Sequence, residues 1–337
     1  MPRCLLYKGS RMLMLLLRAA LCLACAGIDI CVIFIYALDR IIHTYTSINC
    51  DELYNSCIFL FEPSIHAMDI STPCDVPVRS NTLLFLIHGS GSSERQFMFV
   101  RSWLKRMARV ETINLSNDNR DLSSLSDQVA TRLLEIASPN NPHLSVILVG
   151  VSMGGLIATD LAVNPDWQHV RDQIEIRGVV TMGSPLIGAP LLAFGQRISQ
   201  QCTQMWSTIK SKFLSEKNVT TVWLLSKRHI DMTPRSPWLT RLHLHFKQYI
   251  EACQEKDKSQ IETRSPCAWL TMGSLSDIHV PDEYSTLQSI IDTIQVPISV
   301  DRFSYQHMTF QVPGHIALTV SPDIFQQLGI FYKNHKA

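Results

Sequence analysis

The stretch VILVGVSMGGLIATDLAV, residues 146–163, decides how this chain is read: an apolar run meets a glycine-rich corner and continues as an apolar segment of helical length. Two chemistries use such a corner. A dinucleotide-binding turn needs G-x-G-x-x-G, so that backbone can approach a pyrophosphate, but Ser152 stands where the second glycine would be. A P-loop needs a lysine that this corner lacks. What remains is G-x-S-x-G, with Gly150, Ser152 and Gly154 in place and Gly155 adding room. Between a strand and a helix this pattern lifts a serine on a strained turn, where its hydroxyl is exposed for nucleophilic attack.

Around the corner, short apolar runs alternate with amphipathic stretches, the signature of βαβ units and a mainly parallel sheet with helices on both faces. TLLFLI (82–87), VETINL (110–115), SVILVG (145–150), IRGVVTM (176–182) and CAWLTMGS (267–274) read as strands. Their continuous apolar character suits strands covered on both sides. Between them, Leu122, Leu125, Val129, Leu133 and Ile136 recur at helical spacing and predict a core-facing helix over 122–138. QVPISVDRF (295–303) resumes the α/β rhythm, and SPDIFQQLGIFYKN closes the chain as an amphipathic stretch. From about 187 to 265 the rhythm changes to polar and aromatic residues with few strand signals, which reads as an inserted helical cap.

A serine hydroxyl becomes a useful nucleophile when a histidine accepts its proton and a carboxylate orients that histidine. In the chain order serine, acid, histidine, GSLSDIHVP places Asp277 in a turn after a strand, and PGHIAL places His315 in a loop near the C-terminus. His279 follows Asp277 by two residues and is a rival base; Asp282 and Asp301 are rival carboxylates, each also readable as a solvated or salt-bridged residue.

These motifs together resemble the α/β-hydrolase superfamily, and in particular lipase-like serine acyl hydrolases with a lid, such as bacterial lipases and esterases. FLIHGSG resembles the oxyanion loop after the third strand, GVSMGG the nucleophile elbow, TMGSPLIGAP the strand end leading to the lid, DIHVP the acid loop and GHIAL the histidine loop. The resemblance covers residues 80–335. It implies Ser152 as nucleophile, Asp277 as carboxylate, His315 as base, and backbone N–H groups of Ser90 and Met153 as the oxyanion hole. His88 and Gly89 would shape the oxyanion loop. DMTPRSPWLTRLHLHF (231–246) resembles a lid segment, in which Trp238, Leu239 and Leu242, with Leu244 and Phe246, either line an acyl-chain channel or pack cap helices together. No metal or organic cofactor is implied.

Composition narrows the setting. A 337-residue chain with 46% hydrophobic and 18% charged residues buries a sizeable core, and a net charge of +1 without a basic stripe excludes nucleic acid as the expected partner. Residues 12–38 are apolar except for Arg18 and Asp29, long enough to span a bilayer. Arg3, Lys8 and Arg11 precede this run, whereas Asp39, Asp51 and Glu52 follow it, an asymmetry that places the N-terminus in the cytoplasm and the body outside. Ala24-Cys25-Ala26 fits a signal-peptidase site and a secreted protein, but the apolar run continues past it to Leu38, which favours an uncleaved anchor; the cost of Asp29 within lipid makes a buried or surface-lying hairpin the alternative.

The organisation expected is therefore an anchor over 1–40, leading strands or a tether over 41–79, and a catalytic domain over 80–337. Cys50, Cys57, Cys74, Cys202, Cys253 and Cys267 permit disulfides in an oxidising compartment, with no CxxC pair to suggest zinc. Asn114 and Asn218 open formal glycosylation sequons. The function expected is hydrolysis of lipid or other acyl esters through an acyl-enzyme. An acyltransferase built on the same triad, and a binding protein that keeps the fold without turnover, are the alternatives.

Overall fold

In the computed structural model the described residues are 82–115, 119–137, 144–194, 196, 226–255, 267–275, 277, 279–295, 303–311, 315–319 and 321–336. The N-terminal apolar segment, residues 41–79, Asp301, Asn218 and four of the six body cysteines lie outside them. Of the two described cysteines, Cys267 is buried and Cys253 half-buried. Among the described residues no helix is long and apolar enough to cross a membrane.

In chain order the main elements are β1 (Thr82–Ile87), α1 (Met98–Leu104), β2 (Arg109–Ile113), α2 (Leu122–Ile136), β3 (Leu144–Val151), α3 (Met153–Val163), α4 (Gln168–Arg171) and β4 (Ile174–Met182). They continue as α5 (Lys227–Asp231), α6 (Pro237–Glu255), β5 (Ala268–Ser274), α7 (Asp282–Ser285), α8 (Leu287–Ile294), β6 (Tyr305–Phe310) and α9 (Pro322–His335). The six strands pair in the order β2-β1-β3-β4-β5-β6, and every pairing is parallel. Five strands fall where their apolar runs predict them, within two residues at either end.

The pleat divides the core in two. Leu83, Phe85, Ile87, Val146, Leu148 and Trp269 pack with α2, α3, α6 and α8, while Leu84, Leu86, Ile147, Val149, Leu270 and Met272 pack with α1 and α9. Successive residues of one strand thus feed opposite layers, which is why these strands are apolar at nearly every position. All eight residues of β3 are buried. On α2, Leu122, Leu125, Val129 and Leu133 are buried at i, i+3, i+4 spacing, and each fully covered leucine contributes about 1.5–3 kcal/mol relative to exposure. Asp121 fixes the start of that helix by accepting the Ser124 N–H at 2.9 Å.

The helix α6 lies inside the span read as a cap. Phe246 meets Trp269 of β5 edge to face at 5.3 Å, and Trp238, Leu239, Leu242, Phe246 and Ile250 belong to the core. The helix packs on α3, α5 and α8, and Trp238, Leu239 and Leu242 are buried in that packing. Leu244, on the opposite side of the helix, is 52% exposed. Among the described residues the last strand is YQHMTF; QVPISVDRF, apart from Gln295 and Phe303, lies outside them. At the sheet edge β6 buries only Phe310 fully, so its sequence carries little of the apolar signal that marks the inner strands.

Candidate active site

The elbow forms where β3 runs out. Ser152 has φ 52° and ψ −120°, the geometry that tight turns reserve for glycine, and it donates its N–H to Met182 O at 2.8 Å while α3 begins at the next residue. A serine held there stores on the order of 1–3 kcal/mol of strain. The crowding around it explains the flanking glycines. A Cβ on Gly150 would lie 2.3 Å from Gly154 C and O, and one on Gly154 would lie 2.1 Å from Ile87 O. Backbone meets backbone here, so no side chain can yield. Gly154→Ala is expected to destabilise the fold by at least ~3 kcal/mol, measured by denaturant unfolding; a loss below ~1 kcal/mol would show that α3 can back away from β1.

Asp277 follows β5 and is fully buried at its side chain. One carboxylate oxygen accepts the N–H groups of His279 and Val280, both at 2.9 Å, and the other accepts Nδ1–H of His315 at 2.5 Å. Burial is the largest influence on this carboxyl and pushes its pKa up. The His315 ring and the Val280 and His279 neighbours together outweigh it and hold Asp277 below 3.8, so it stays ionised beside the imidazole.

The serine and the Asp277–His315 pair converge on the end of β4. Met182 accepts the Ser152 N–H, and a Cβ on the next residue, Gly183, would stand 3.0 Å from Nδ1 and Cε1 of His315. Gly183 has φ +54° and its N–H reaches Met272 O of β5, so the chain turns here while leaving space for the ring. Three loops far apart in sequence are thereby brought to one edge of the sheet, at the C-terminal ends of β3, β4 and β5.

The loop after β1 completes that edge. A Cβ on Gly89 would be 3.2 Å from Cβ of Ser152, so this loop passes directly against the serine. His88 is buried, with Nδ1–H donating to Gly89 O at 2.8 Å and Nε2 accepting the Leu115 N–H at 2.9 Å. Both nitrogens hold backbone, and burial chiefly keeps the ring neutral, below its ordinary 6.5. His88 is a brace between β1 and the chain after β2. The Gly89 N–H is held by Gln96 Oε1 at 3.0 Å and the Ser92 N–H by Gly89 O at 3.4 Å, so within this loop neither is open to a ligand. Met153 opens α3, where helix geometry gives the N–H no partner within the helix.

The rivals separate cleanly. Asp282 accepts from His307 Nε2 at 3.2 Å and from Thr309 at 2.8 Å, and His307 Nδ1 accepts from Thr271 at 2.7 Å. This Thr-His-Asp arrangement mimics a catalytic constellation, but Thr271 has no exposed surface, so the network fastens the acid loop to β5 and β6.

His279 lies 5.5 Å from His315, ring centroid to centroid, and makes no part of the Asp277–His315 bond. Burial, then the charge of His315, lower its pKa to about 4, with Asp277 opposing. An imidazole that resists protonation when folded, but titrates near 6.5 when unfolded, costs stability as pH falls from 6.5 towards 4; the loss levels off below that. His279→Gln is expected to flatten this acid limb by about 2–3 kcal/mol in urea unfolding at pH 4 against pH 7. An unchanged pH slope would mean the ring is protonated in the fold.

Sequence reasoning missed Gln96, His229 and His307. Ser90 Oγ bonds His229 Nε2 at 2.9 Å, and His229 Nδ1 bonds Ser226 Oγ at 2.7 Å. None of these three residues sits in a motif, because each acts through side-chain reach across elements. Among the described residues no group of His, Cys, Asp and Glu is arranged to hold a metal ion.

Solved structures with a similar arrangement include a lipase-esterase related protein from Clostridium acetobutylicum, 16% identical, with 76% of this chain and 95% of that chain covered and a TM-score of 0.43. A soluble variant of monoglyceride lipase from Saccharomyces cerevisiae is 13% identical, covering 79% of this chain and 90% of that chain, with a TM-score of 0.46. A lipase from Bacillus licheniformis in its mature form is 14% identical, covering 78% and 97%, also with a TM-score of 0.46. No curated protein matches the sequence. The PGAP1-like alpha/beta domain matches residues 117–311, more than half of the chain, a span that includes Ser152 and Asp277 and stops just short of His315. With its parallel sheet, its serine elbow and that match, the chain has the α/β-hydrolase fold and belongs to the PGAP1-like alpha/beta domain family.

Proposed function

We propose that this protein is a serine ester hydrolase in which Ser152 attacks the ester carbonyl, His315 takes its proton and Asp277 holds the imidazole. The observation that carries this reading is the convergence of the strained Ser152 turn and the bonded Asp277–His315 pair on Met182 and Gly183. In the proposed path, Nδ1–H of His315 points to Asp277, so Nε2 accepts the serine proton as the Ser152 Oγ–acyl bond forms. The negative charge on the carbonyl oxygen is met by the N–H groups of Met153 and Ser90. His315 returns the proton to the leaving alcohol as the C–O bond breaks, and water then repeats the sequence to free the acid.

The proposal extends to lipid esters and to a membrane anchor at residues 12–38, with the catalytic body on the extracytoplasmic side. What supports that extension is the length of the apolar run and the charges flanking it.

Labelling with a fluorophosphonate probe tests the core of this reading. An adduct located on Ser152 by mass spectrometry, and lost in His315→Ala, is the expected result. Equal hydrolysis of an acyl-ester panel by wild type and Ser152→Ala would overturn it. Protease protection of the full chain in sealed vesicles tests the orientation, with the body expected to be protected only in vesicles whose lumen is the extracytoplasmic side.

A further inference from the structure

The chain Ser90–His229–Ser226 reaches the site from a distant part of the sequence. His229 is separated from Ser90 by 139 residues, and both His229 and Ser226 are buried. A buried imidazole whose two nitrogens bond two hydroxyls is a fixed spacer. Either tautomer makes both bonds, since one ring nitrogen donates, the other accepts, and a serine hydroxyl serves in either sense.

The helix that carries His229 is itself fastened. Asp231 of α5 accepts the Leu122 N–H at the start of α2 at 2.9 Å, and the Lys227 N–H donates to Asn119 Oδ1 at 2.9 Å. Met232 O, just past α5, accepts the Ala189 N–H at 2.9 Å. Three hydrogen bonds from two segments, residues 119–122 and Ala189, thus hold α5 still over the loop that follows β1. On the loop side, Gly89 is pinned by Gln96 and lies against Ser152, which makes Ser90 the next point at which the loop can drift.

The geometry points to His229 as a positioning residue for the oxyanion hole: by gripping the Ser90 hydroxyl it fixes the direction of the Ser90 N–H. This inference rests on the hydrolase reading and deepens it. A donor aimed at developing charge works only if it is already in place, and one such donor is worth roughly 10²–10³ in kcat. Loss of its support is therefore expected to lower kcat with little change in KM, because the ground-state carbonyl draws less on the hole than the tetrahedral intermediate does.

The test uses the full chain and four variants, Ser90→Ala, His229→Leu, His229→Gln and the Ser90→Ala/His229→Leu double. Turnover of a p-nitrophenyl acyl ester, the rate of fluorophosphonate labelling and the melting temperature are read for each. His229→Leu and Ser90→Ala are each expected to lose about 10- to 100-fold in kcat, with KM within about threefold, and to slow labelling by a similar factor. The double variant is expected to be no worse than the poorer single one, since both remove the same bond. His229→Gln, whose amide N–H can reach Ser90, is expected to recover most of the loss. Additive losses in the double variant, an equal fall in kcat for Gln and Leu, or unchanged kcat in Ser90→Ala would overturn the inference. Absence of any Ser152-dependent labelling in wild type would instead overturn the hydrolase reading on which it stands.

Discussion

Ser152→Ala is expected to lose roughly 10⁴–10⁶ of kcat on an acyl ester, and Ser152→Gly to lose as much while being the more stable of the two. The first half follows from removing the only proposed nucleophile. The second follows from the backbone. With φ 52° and ψ −120°, position 152 sits where an L residue strains and glycine does not, so alanine keeps the strain that serine has and glycine releases it. Against this, glycine loses more chain entropy on folding, about 0.5–1 kcal/mol. The balance favours glycine by about 1 kcal/mol, a rise of roughly 2–4 °C in melting temperature over the alanine variant for a body of this size. In ordinary backbone the order is reversed. Both variants should give wild-type circular dichroism and no fluorophosphonate adduct. If alanine proves equal to glycine or better, the turn is relaxed in solution and the elbow is not the strained device argued here; if alanine retains turnover, another group supplies the nucleophile.

Packing constraints decide how much of this fold is legible in the sequence. β1, β3, β5 and the second half of β4 are buried on both faces, so burial makes nearly every residue apolar, and the sequence shows it as runs such as TLLFLI and SVILVG. The elbow was legible because crowding to 2.1–2.3 Å permits only glycine at 150 and 154, and a serine between them in that setting has few other uses. Asp277 and His315 were legible by order along the chain, and the structure brings them within a hydrogen bond. β6 was not, because an edge strand that is mostly part-exposed has neither a continuous apolar run nor a clean alternation.

The α6 stripe was open to two readings for a related reason. The α6 stripe from Trp238 to Ile250 has the spacing of any amphipathic helix, and spacing alone does not say whether the surface it covers is a sheet or a ligand. Residues whose role depends on reach rather than on local backbone, namely Gln96, His229 and His307, left no pattern at all. Gln96 holds Gly89 from seven residues away, and His307 ties Asp282 from 25. A glutamine or a histidine in those places reads as surface until the partner is known.

Asp277→Asn is expected to leave the protein folded and to lower kcat by about 10⁴, because the amide traps the wrong tautomer of His315. The bonds around the carboxylate dictate this. The oxygen facing His279 and Val280 accepts two backbone N–H groups, so an asparagine must keep its carbonyl there; turning the NH₂ to that side would set donors against donors. The NH₂ then faces His315 Nδ1, which must become an acceptor, and the ring proton moves to Nε2. An Nε2 that already carries a proton cannot take one from Ser152. The loss is in the chemical step, so KM should change little and fluorophosphonate labelling should slow in parallel. Asp277→Ala is expected to be the milder catalyst defect and the worse stability defect, since it no longer enforces the wrong tautomer but leaves the His279 and Val280 N–H groups of a buried loop unpaired, at about 1–3 kcal/mol for each group. Steady-state kinetics with urea unfolding on the two variants reads both quantities. Should asparagine be the faster hydrolase to lose its fold, or should it retain turnover within tenfold of wild type, Asp277 would be a structural anchor of its loop and the carboxylate assisting His315 would have to be sought elsewhere.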